Sequence, residues 1–468
     1  MEAPLERKGR SRTRSRSRSR AERALSPLGR LLLHPNCYTL IHLTITTADP
    51  IHIPRLKAHL STSIFATHPR FTTVPDTGSN HWPDPDTAAV IDPDRHVITV
   101  NGPVTSVNDY LAELASVCAP LPTDKPLWEI HVLPEPHSNC AIFVIHHALG
   151  DGACVMSLLE SFCSPTNEPQ ITPKQDIVIQ IRERGRTAAE VVKTVWFTMV
   201  STVKVLTLFL GEKGVKIVAK TGVNLHPRNK FAIAAATFSL EDMKMVKNAI
   251  SPPATINDVF IGIISCGLSR YVHLLHSQQD LKGLKFSGFA AVNMRPGKKN
   301  PAITDLKGWG NKLGCYFNRI YYKDPSDSRY DAMYHLKNAK LMMDRSKLSL
   351  ESRLYRSVIN TQISCFGPQL SALSTNRFTR NSTFISSNIV GPSKEIAMVG
   401  NPITSVRVNI ASKSSQALMI HMVSYAGKAE LQILAEREAI PDPQILTNFF
   451  EEALHQMKSA VPTKGGRH

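Results

Sequence analysis

The chain has 468 residues, 42% of them hydrophobic, which is enough for two or three domains around a sizeable core. The formal charge is +17; residues 1–30 hold ten Lys/Arg against three Asp/Glu and carry +7 of it, and the basic remainder suits the phosphates of a cosubstrate or an anionic membrane surface. None of the eight cysteines forms a CxxC pair and no apolar h-region opens the chain, which argues against a zinc site and a secretory signal and for free thiols in a reducing compartment.

Residues 7–23 alternate arginine with serine and hold no apolar side chain except Ala21. Like charges repel and no core can form there, so residues 1–24 read as a disordered tail. The tail superficially resembles the Arg-Ser segments of RNA-processing proteins. No RNA-binding module follows it, so nucleic acid is not an expected partner. The folded part opens at Leu25-Ser26-Pro27. Residues 38–46 read as a strand, 53–65 as an amphipathic helix and 108–119 as another. Trp128 to Leu133 alternates, with Trp128, Ile130 and Val132 on one face. Residues 135–139 supply a turn, and the apolar run Cys140 to Ile145 returns as a buried strand. This hairpin delivers His146 and His147. Beyond Gly152, the residues Val155, Leu158, Leu159 and Phe162 fall at helical spacing.

Residues 164–190 are rich in Pro, Lys, Gln and Arg and read as an exposed crossover. Val195 to Leu210 is the most apolar window, but Lys204 interrupts it and a spanning helix needs about 20 apolar residues. A stripe of Val191, Val195, Thr198, Thr202, Val205 and Phe209 fits an interfacial helix best, a buried helix next and a membrane span least. A second half opens at Phe231. It holds a buried helix at Val259 to Tyr271, strands at 286–293, 386–390 and 418–425, a charged helix at 331–347 and a closing helix at 443–457. The expected division is therefore tail 1–24, first half 25–163, linker 164–230, second half 231–460 and tail 461–468. Strands and helices alternate without a Gly-rich phosphate loop, which excludes a Walker or Rossmann nucleotide site.

The chemistry concentrates in His146-His147-Ala148-Leu149-Gly150-Asp151-Gly152. Neighbouring residues on a strand point to opposite sides, so only one histidine faces a given channel. A histidine suits general-base work because it titrates near neutrality. Asp151 can orient a ring or bind a distant arginine, and the glycines allow a tight turn.

This stretch resembles the HHxxxDG signature of the CoA-dependent acyltransferases. Pro126-Leu127-Trp128-Glu129, Asn257-Asp258-Val259 and Ser387-Asn388-Ile389-Val390-Gly391-Pro392 narrow the resemblance to the plant-type wax ester synthase/diacylglycerol acyltransferase family, over roughly Leu25 to Met457. That family implies an α/β (α+β) fold of two similar chloramphenicol-acetyltransferase-like half-domains meeting at a central tunnel. His147 matches its catalytic base, with His146 packed against the second half. Asp151 either contacts the imidazole or anchors the turn through a buried pair, for which Arg295 is the candidate partner, and Gly152 completes the motif. Asn257 and Asp258 match a motif at a helix start, where the aspartate can simply favour the positive helix end. Ser387 and Asn388 can donate hydrogen bonds near the tunnel. No cofactor or metal is expected; acyl-CoA is a co-substrate.

The resemblance implies transfer of a long-chain acyl group from acyl-CoA to a fatty alcohol. Diacylglycerol is the alternative acceptor, and an idle acyl-CoA- or lipid-binding protein the alternative of another class. The expected location is the cytosolic face of the endoplasmic reticulum membrane, with the plasma membrane second.

Overall fold

The computed structural model describes residues 23–84, 90–165, 187–210, 230–276, 281–298, 300–302, 304–327, 330–414 and 417–462. Most of the Arg/Ser tail, most of the 164–190 crossover and residues 463–468 lie outside them.

In chain order, helix α1 (Pro27–Leu33) leads into β1 (Thr39–Thr47). Next come β2 (Val97–Thr99), α2 (Val107–Val117), β3 (Trp128–Val132), β4 (Cys140–His146), α3 (Gly152–Phe162) and β5 (Ser164–Pro165). Helix α4 (Ala188–Leu210) crosses over. The later elements are β6 (Phe231–Ser239), α5 (Leu240–Asn248), α6 (Ile256–His276), β7 (Lys285–Asn293), β8 (Leu313–Tyr321), α7 (Ala332–Leu348), α8 (Glu351–Asn381) and β9 (Phe384–Val390). They end with β10 (Ile396–Met398), β11 (Asn401–Ser412), β12 (Leu418–Tyr425), β13 (Lys428–Glu436) and α9 (Pro443–Ser459).

The strands form two sheets, ordered β2-β3-β4-β1-β11-β10-β5 and β6-β13-β12-β9-β7-β8. β3 and β4 pair antiparallel, with Trp128 opposite Ile145, which is the expected hairpin. The α/β class read from the sequence is the one found. The division at residue 231 is not a division in space. β11 comes from the second half, yet it lies antiparallel along the whole of β1, from Thr39 opposite Ser412 to Thr47 opposite Ile403. Val406, Val408 and Ala411 bury in the first core beside Ile41, Leu43 and Ile45. One strand thus locks the two halves together.

The second core is built on α6, whose Val259, Phe260, Ile263 and Ile264 are buried under β12 and β13 residues such as Ile420 and Ile433. Among the described residues α6 is the one helix long and apolar enough to cross a membrane by length and composition, and it is mostly buried. Helix α4 begins earlier than the apolar window and its stripe divides. Val205 of that stripe packs on the Phe289–Phe317 cluster, whereas its Val195 is exposed, on a face shared with Val192, Trp196, Met199, Val203 and Leu206, all 50–67% exposed. What α4 packs on, not its apolar content, decides which side turns inward. The 53–65 helix also breaks, into Ile53–Leu60 and Ile64–Thr67, where Ser63 caps the second piece through the Phe65 N–H.

Candidate active site

β4 ends at His146, and the turn 147–151 leads into α3. The Asp151 carboxylate caps α3 by accepting from the Cys154 N–H at 3.3 Å. Capping satisfies an orphan donor of the first turn. Its other oxygen accepts from Arg295 Nη1 at 2.9 Å and from the Lys312 N–H at 2.9 Å. Asp151 is fully buried and Arg295 is 6% exposed. The guanidinium is also fully engaged: Nε donates to the Gly308 carbonyl at 2.9 Å and Nη2 to the Gly310 carbonyl at 2.6 Å. Removing one member of such a buried pair leaves an uncompensated charge. Geometrically, then, Asp151 is an anchor for the turn, and its partner is Arg295.

The loop before β8 clasps the turn from the other half. Trp309 Nε1 donates to the Leu149 carbonyl at 2.8 Å. Gly310 sits at φ +101°, a conformation that favours glycine, and a Cβ there would lie 3.4 Å from the Arg70 guanidinium. Asn311 then reaches His147 twice. Its Oδ1 lies 2.9 Å from His147 Nδ1, and its Nδ2 donates to the His147 carbonyl at 2.9 Å. The His147 N–H donates to the Thr39 carbonyl at 3.0 Å. An amide oxygen can only accept, so Nδ1 carries the proton and Nε2 is the basic nitrogen. Burial pulls the His147 ring below its ordinary value, against the opposing pull of its own backbone, Asp151 and Asn311. A ring so held stays neutral near pH 7, the form a proton acceptor needs.

His146 has a different environment, but not the expected one. Its ring packs edge-on to Tyr38 at 4.5 Å, within the first half. Nδ1 accepts from the Ala148 N–H at 3.0 Å, and burial, with the neighbouring His147, pushes its pKa down to about 3. The neighbour that touches the second half is His147. Alternation along β4 separates the two side chains correctly, but which half each meets depends on the loop before β8, which the hairpin does not specify.

The remaining expected residues are spread out. Asp258 is buried at the start of α6, where it accepts from the Thr255 N–H at 2.8 Å and pairs with Lys347 at 3.4 Å. These contacts are those of a helix cap, and Asn257 stands half-buried beside it. Ser387 and Asn388 point to opposite faces of β9. Ile385 and Ile389 pack toward the first core and Phe384 toward the second, so Ser387 looks to the space between the sheets and Asn388 does not. Ser387 lies in register with His421. His421 is close enough to His147 to feel its charge, and burial foremost lowers its pKa to about 4. Gly152 packs against the Ile389 side chain, where a Cβ would come within 2.9 Å of Cδ1. His147, Asp151, Gly152 and Arg295 are therefore gathered in one place with Asn311, Trp309 and His421, none of which sequence reasoning singled out. Asn311 is 164 positions from His147, and the one local signal, an asparagine just after a glycine ahead of a strand, is common.

Comparison with known proteins gives the same frame. The wax ester synthase/diacylglycerol acyltransferase catalytic domain matches residues 66–260 and the corresponding C-terminal domain residues 309–458. Wax ester synthase/diacylglycerol acyltransferase 2 of Arabidopsis thaliana is 29% identical, over 95% of this chain and 97% of that protein. Number 11 of the same plant is 26% identical over 95% and 96%. Among solved structures, the wax ester synthase/diacylglycerol acyltransferase from Marinobacter aquaeolei VT8 superposes with TM-score 0.57 at 16% identity, covering 94% of this chain and 99% of that one. A trichothecene 15-O-acetyltransferase from Fusarium sporotrichioides gives 0.58 at 12% identity, over 93% and 95%. At such identities the two structures speak for the fold alone.

Proposed function

Because the chain belongs to the wax ester synthase/diacylglycerol acyltransferase family, and is an acyltransferase acting on an alcohol or diacylglycerol hydroxyl, we propose that His147 Nε2 is the general base of that transfer and that a fatty alcohol is its preferred acceptor. The observation that carries the first part is the double tie of Asn311 to His147. It fixes the tautomer that leaves Nε2 basic.

The reaction then runs in one step of attack and one of collapse. Nε2 takes the hydroxyl proton as the oxygen attacks the thioester carbonyl of acyl-CoA. The tetrahedral oxyanion collapses, the carbon–sulfur bond breaks, and the CoA thiolate takes the proton back from the imidazolium. No acyl-enzyme forms, and His147 ends as it began. Asp151 and Arg295 do not touch the reacting atoms; they hold the turn and the loop that carry His147 and Asn311. Turnover of labelled long-chain acyl-CoA against a panel of alcohols and diacylglycerol tests the reading. Ester formation faster with fatty alcohols than with diacylglycerol supports it, and triacylglycerol as the faster product reverses the acceptor preference.

The exposed face of α4 supports a peripheral place on the cytosolic face of the endoplasmic reticulum membrane. Val192, Val195, Trp196, Met199, Val203 and Leu206 recur at helical spacing and are at least half exposed. A stripe of this kind lies along a bilayer surface with its apolar side in the acyl boundary, and the net charge of +17 favours an anionic leaflet.

A further inference from the structure

Helix α8 is a hairpin rather than a rod. Gly367, at φ +76°, breaks it just before Pro368, and Gln362 Nε2 donates across to Ser374 Oγ at 2.6 Å. Those two residues are 12 positions apart. Along one straight helix that would be about 18 Å, so the chain turns back at Gly367. The base of the hairpin is anchored. Glu351 accepts from the Phe317 N–H at 2.6 Å, and Phe378 packs on Phe289 with ring centroids 4.3 Å apart. The inner sides of both arms, through Ile363 and Ala372, share a buried cluster with Leu31 of α1. The outer sides have no such cover: Val358, Phe366, Leu370 and Leu373 are 55–63% exposed.

Charge is sorted along the same hairpin. Residues 357–376 hold no Asp, Glu, Lys or Arg, while Arg353 and Arg356 precede them and Arg377 and Arg380 follow. All four arginines therefore belong to the base, and Phe366 to the tip. Each uncharged arm is about ten residues, roughly 15 Å at helical rise. That is half the hydrocarbon core of about 30 Å, enough to enter one leaflet and too little to cross both. Polar groups between the arms are satisfied within the hairpin, as an apolar medium requires: Ser371 Oγ donates to the Gly367 carbonyl at 2.8 Å and Ser374 Oγ to the Ser371 carbonyl at 3.0 Å. The surroundings agree. The basic N-terminal stretch, with ten Lys/Arg in residues 1–30, joins just before α1, on which the hairpin rests. α8 also starts against the middle of α4, where the Leu350 N–H donates to Thr198 Oγ1 at 2.9 Å, beside the exposed Met199.

We propose that the α8 hairpin is a wedge that enters one leaflet of an anionic phospholipid bilayer, with Phe366, Leu370 and Leu373 at the acyl boundary and the arginines of the base at the headgroups. Long cationic side chains extend to the phosphates while the apolar tip goes deeper. A second copy of the chain would cover the apolar tip as well, but it would also bring two arginine-flanked bases together. The proposal rests on the peripheral membrane reading and adds to it a second, deeper element beside α4.

The test uses Cys365, the one exposed cysteine, which adjoins Phe366 at the tip. The purified full chain is labelled there with an environment-sensitive fluorophore and mixed with phosphatidylcholine–phosphatidylserine vesicles, with and without brominated acyl chains. The emission should shift to the blue on vesicles and be quenched by the bromines. A label on the exposed Lys428, as Lys428→Cys in a Cys365→Ser background, should do neither. Phe366→Asp/Leu370→Asp should weaken vesicle binding by about tenfold or more while keeping the melting temperature, because both side chains are more than half exposed. Arg353→Gln/Arg380→Gln should lose affinity for these vesicles and not for pure phosphatidylcholine; equal loss on both lipids overturns the headgroup contact. An unquenched Cys365 label on bound protein, with parental binding by the Asp double, overturns the wedge and leaves the peripheral reading on α4 standing. A blue shift that grows with protein concentration without vesicles, alongside a dimeric mass, gives the face to a second copy and overturns the wedge too. No vesicle binding at all removes both readings.

Discussion

Asn311 grips His147 by both its ring and its backbone, with Oδ1 2.9 Å from Nδ1 and Nδ2 2.9 Å from the carbonyl oxygen. The two residues come from different halves of the chain, and the grip sets both the tautomer and the aim of the ring. Asn311→Asp keeps an acceptor for Nδ1–H but loses the donor to the carbonyl, and its added charge raises the imidazole pKa. Asn311→Ala loses both contacts. Turnover should fall by about tenfold or more in Asn311→Ala, with KM for acyl-CoA little changed. The acid limb of the pH–rate profile should move upward in Asn311→Asp. An unshifted profile together with full activity in both variants would remove Asn311 from any positioning role.

Asp151→Asn should damage the fold more than the chemistry. The neutral amide would leave the Arg295 guanidinium, 6% exposed, without its counter-charge, a class of change that costs about 3–5 kcal/mol. The expected result is a markedly lower unfolding midpoint, with the folded fraction retaining much of its specific activity. A variant of parental stability but negligible turnover would make Asp151 part of the chemistry instead.

How much of this was legible in the sequence differs from element to element. The hairpin that delivers His146 and His147 was plain, because alternation at 128–133 and an apolar run at 140–145 are strong local signals. Helix α6 was plain for the same reason. β11 is not legible in the sequence, although Val406, Val408 and Ile410 alternate. Arg407 and Asn409 sit between them, and its partner β1 lies more than 350 positions away. Helix α8 carries no clear helical signal, because Ser, Thr and Asn fill it and Gly367-Pro368 interrupts it. At the site, Asp151 and Arg295 could be paired from the family pattern. Asn311 could not, since its bond to His147 closes through tertiary packing.

Acid should destabilise the protein before most of its carboxylates titrate. Burial holds His42, His96, His335 and His421 down to about 4 and His68 and His146 to about 3. Their unfolded values lie near 6.5. A depressed folded pKa gives stability that is present above the unfolded value and lost as pH falls toward the folded one. The melting temperature should therefore fall between pH 6.5 and pH 4, and unfolding near pH 5 should take up several protons, up to these six. Calorimetry in buffers of different ionisation heats measures that uptake; a value near zero would contradict the buried, neutral assignment.

Placing charge on the outward side of α4 should release the protein from membranes without unfolding it. Val195→Glu/Met199→Glu changes two side chains that are at least half exposed. The double variant should shift to the soluble fraction of sealed microsomes while keeping its melting temperature and its activity on dispersed substrates. Unchanged membrane recovery would take α4 out of the docking surface.

The central claim is that His147 takes the proton from the attacking hydroxyl. The most direct measurement is single-turnover acyl transfer by purified, folded His147→Ala, with acyl-CoA affinity determined separately and His146→Ala run beside it. The rate should drop by about 10²–10⁴-fold with both fatty alcohol and diacylglycerol, while acyl-CoA binding stays close to the parent. His146→Ala should instead lower the yield of folded protein, because its ring fills the space beside Tyr38. Near-parental transfer by folded His147→Ala would contradict the account.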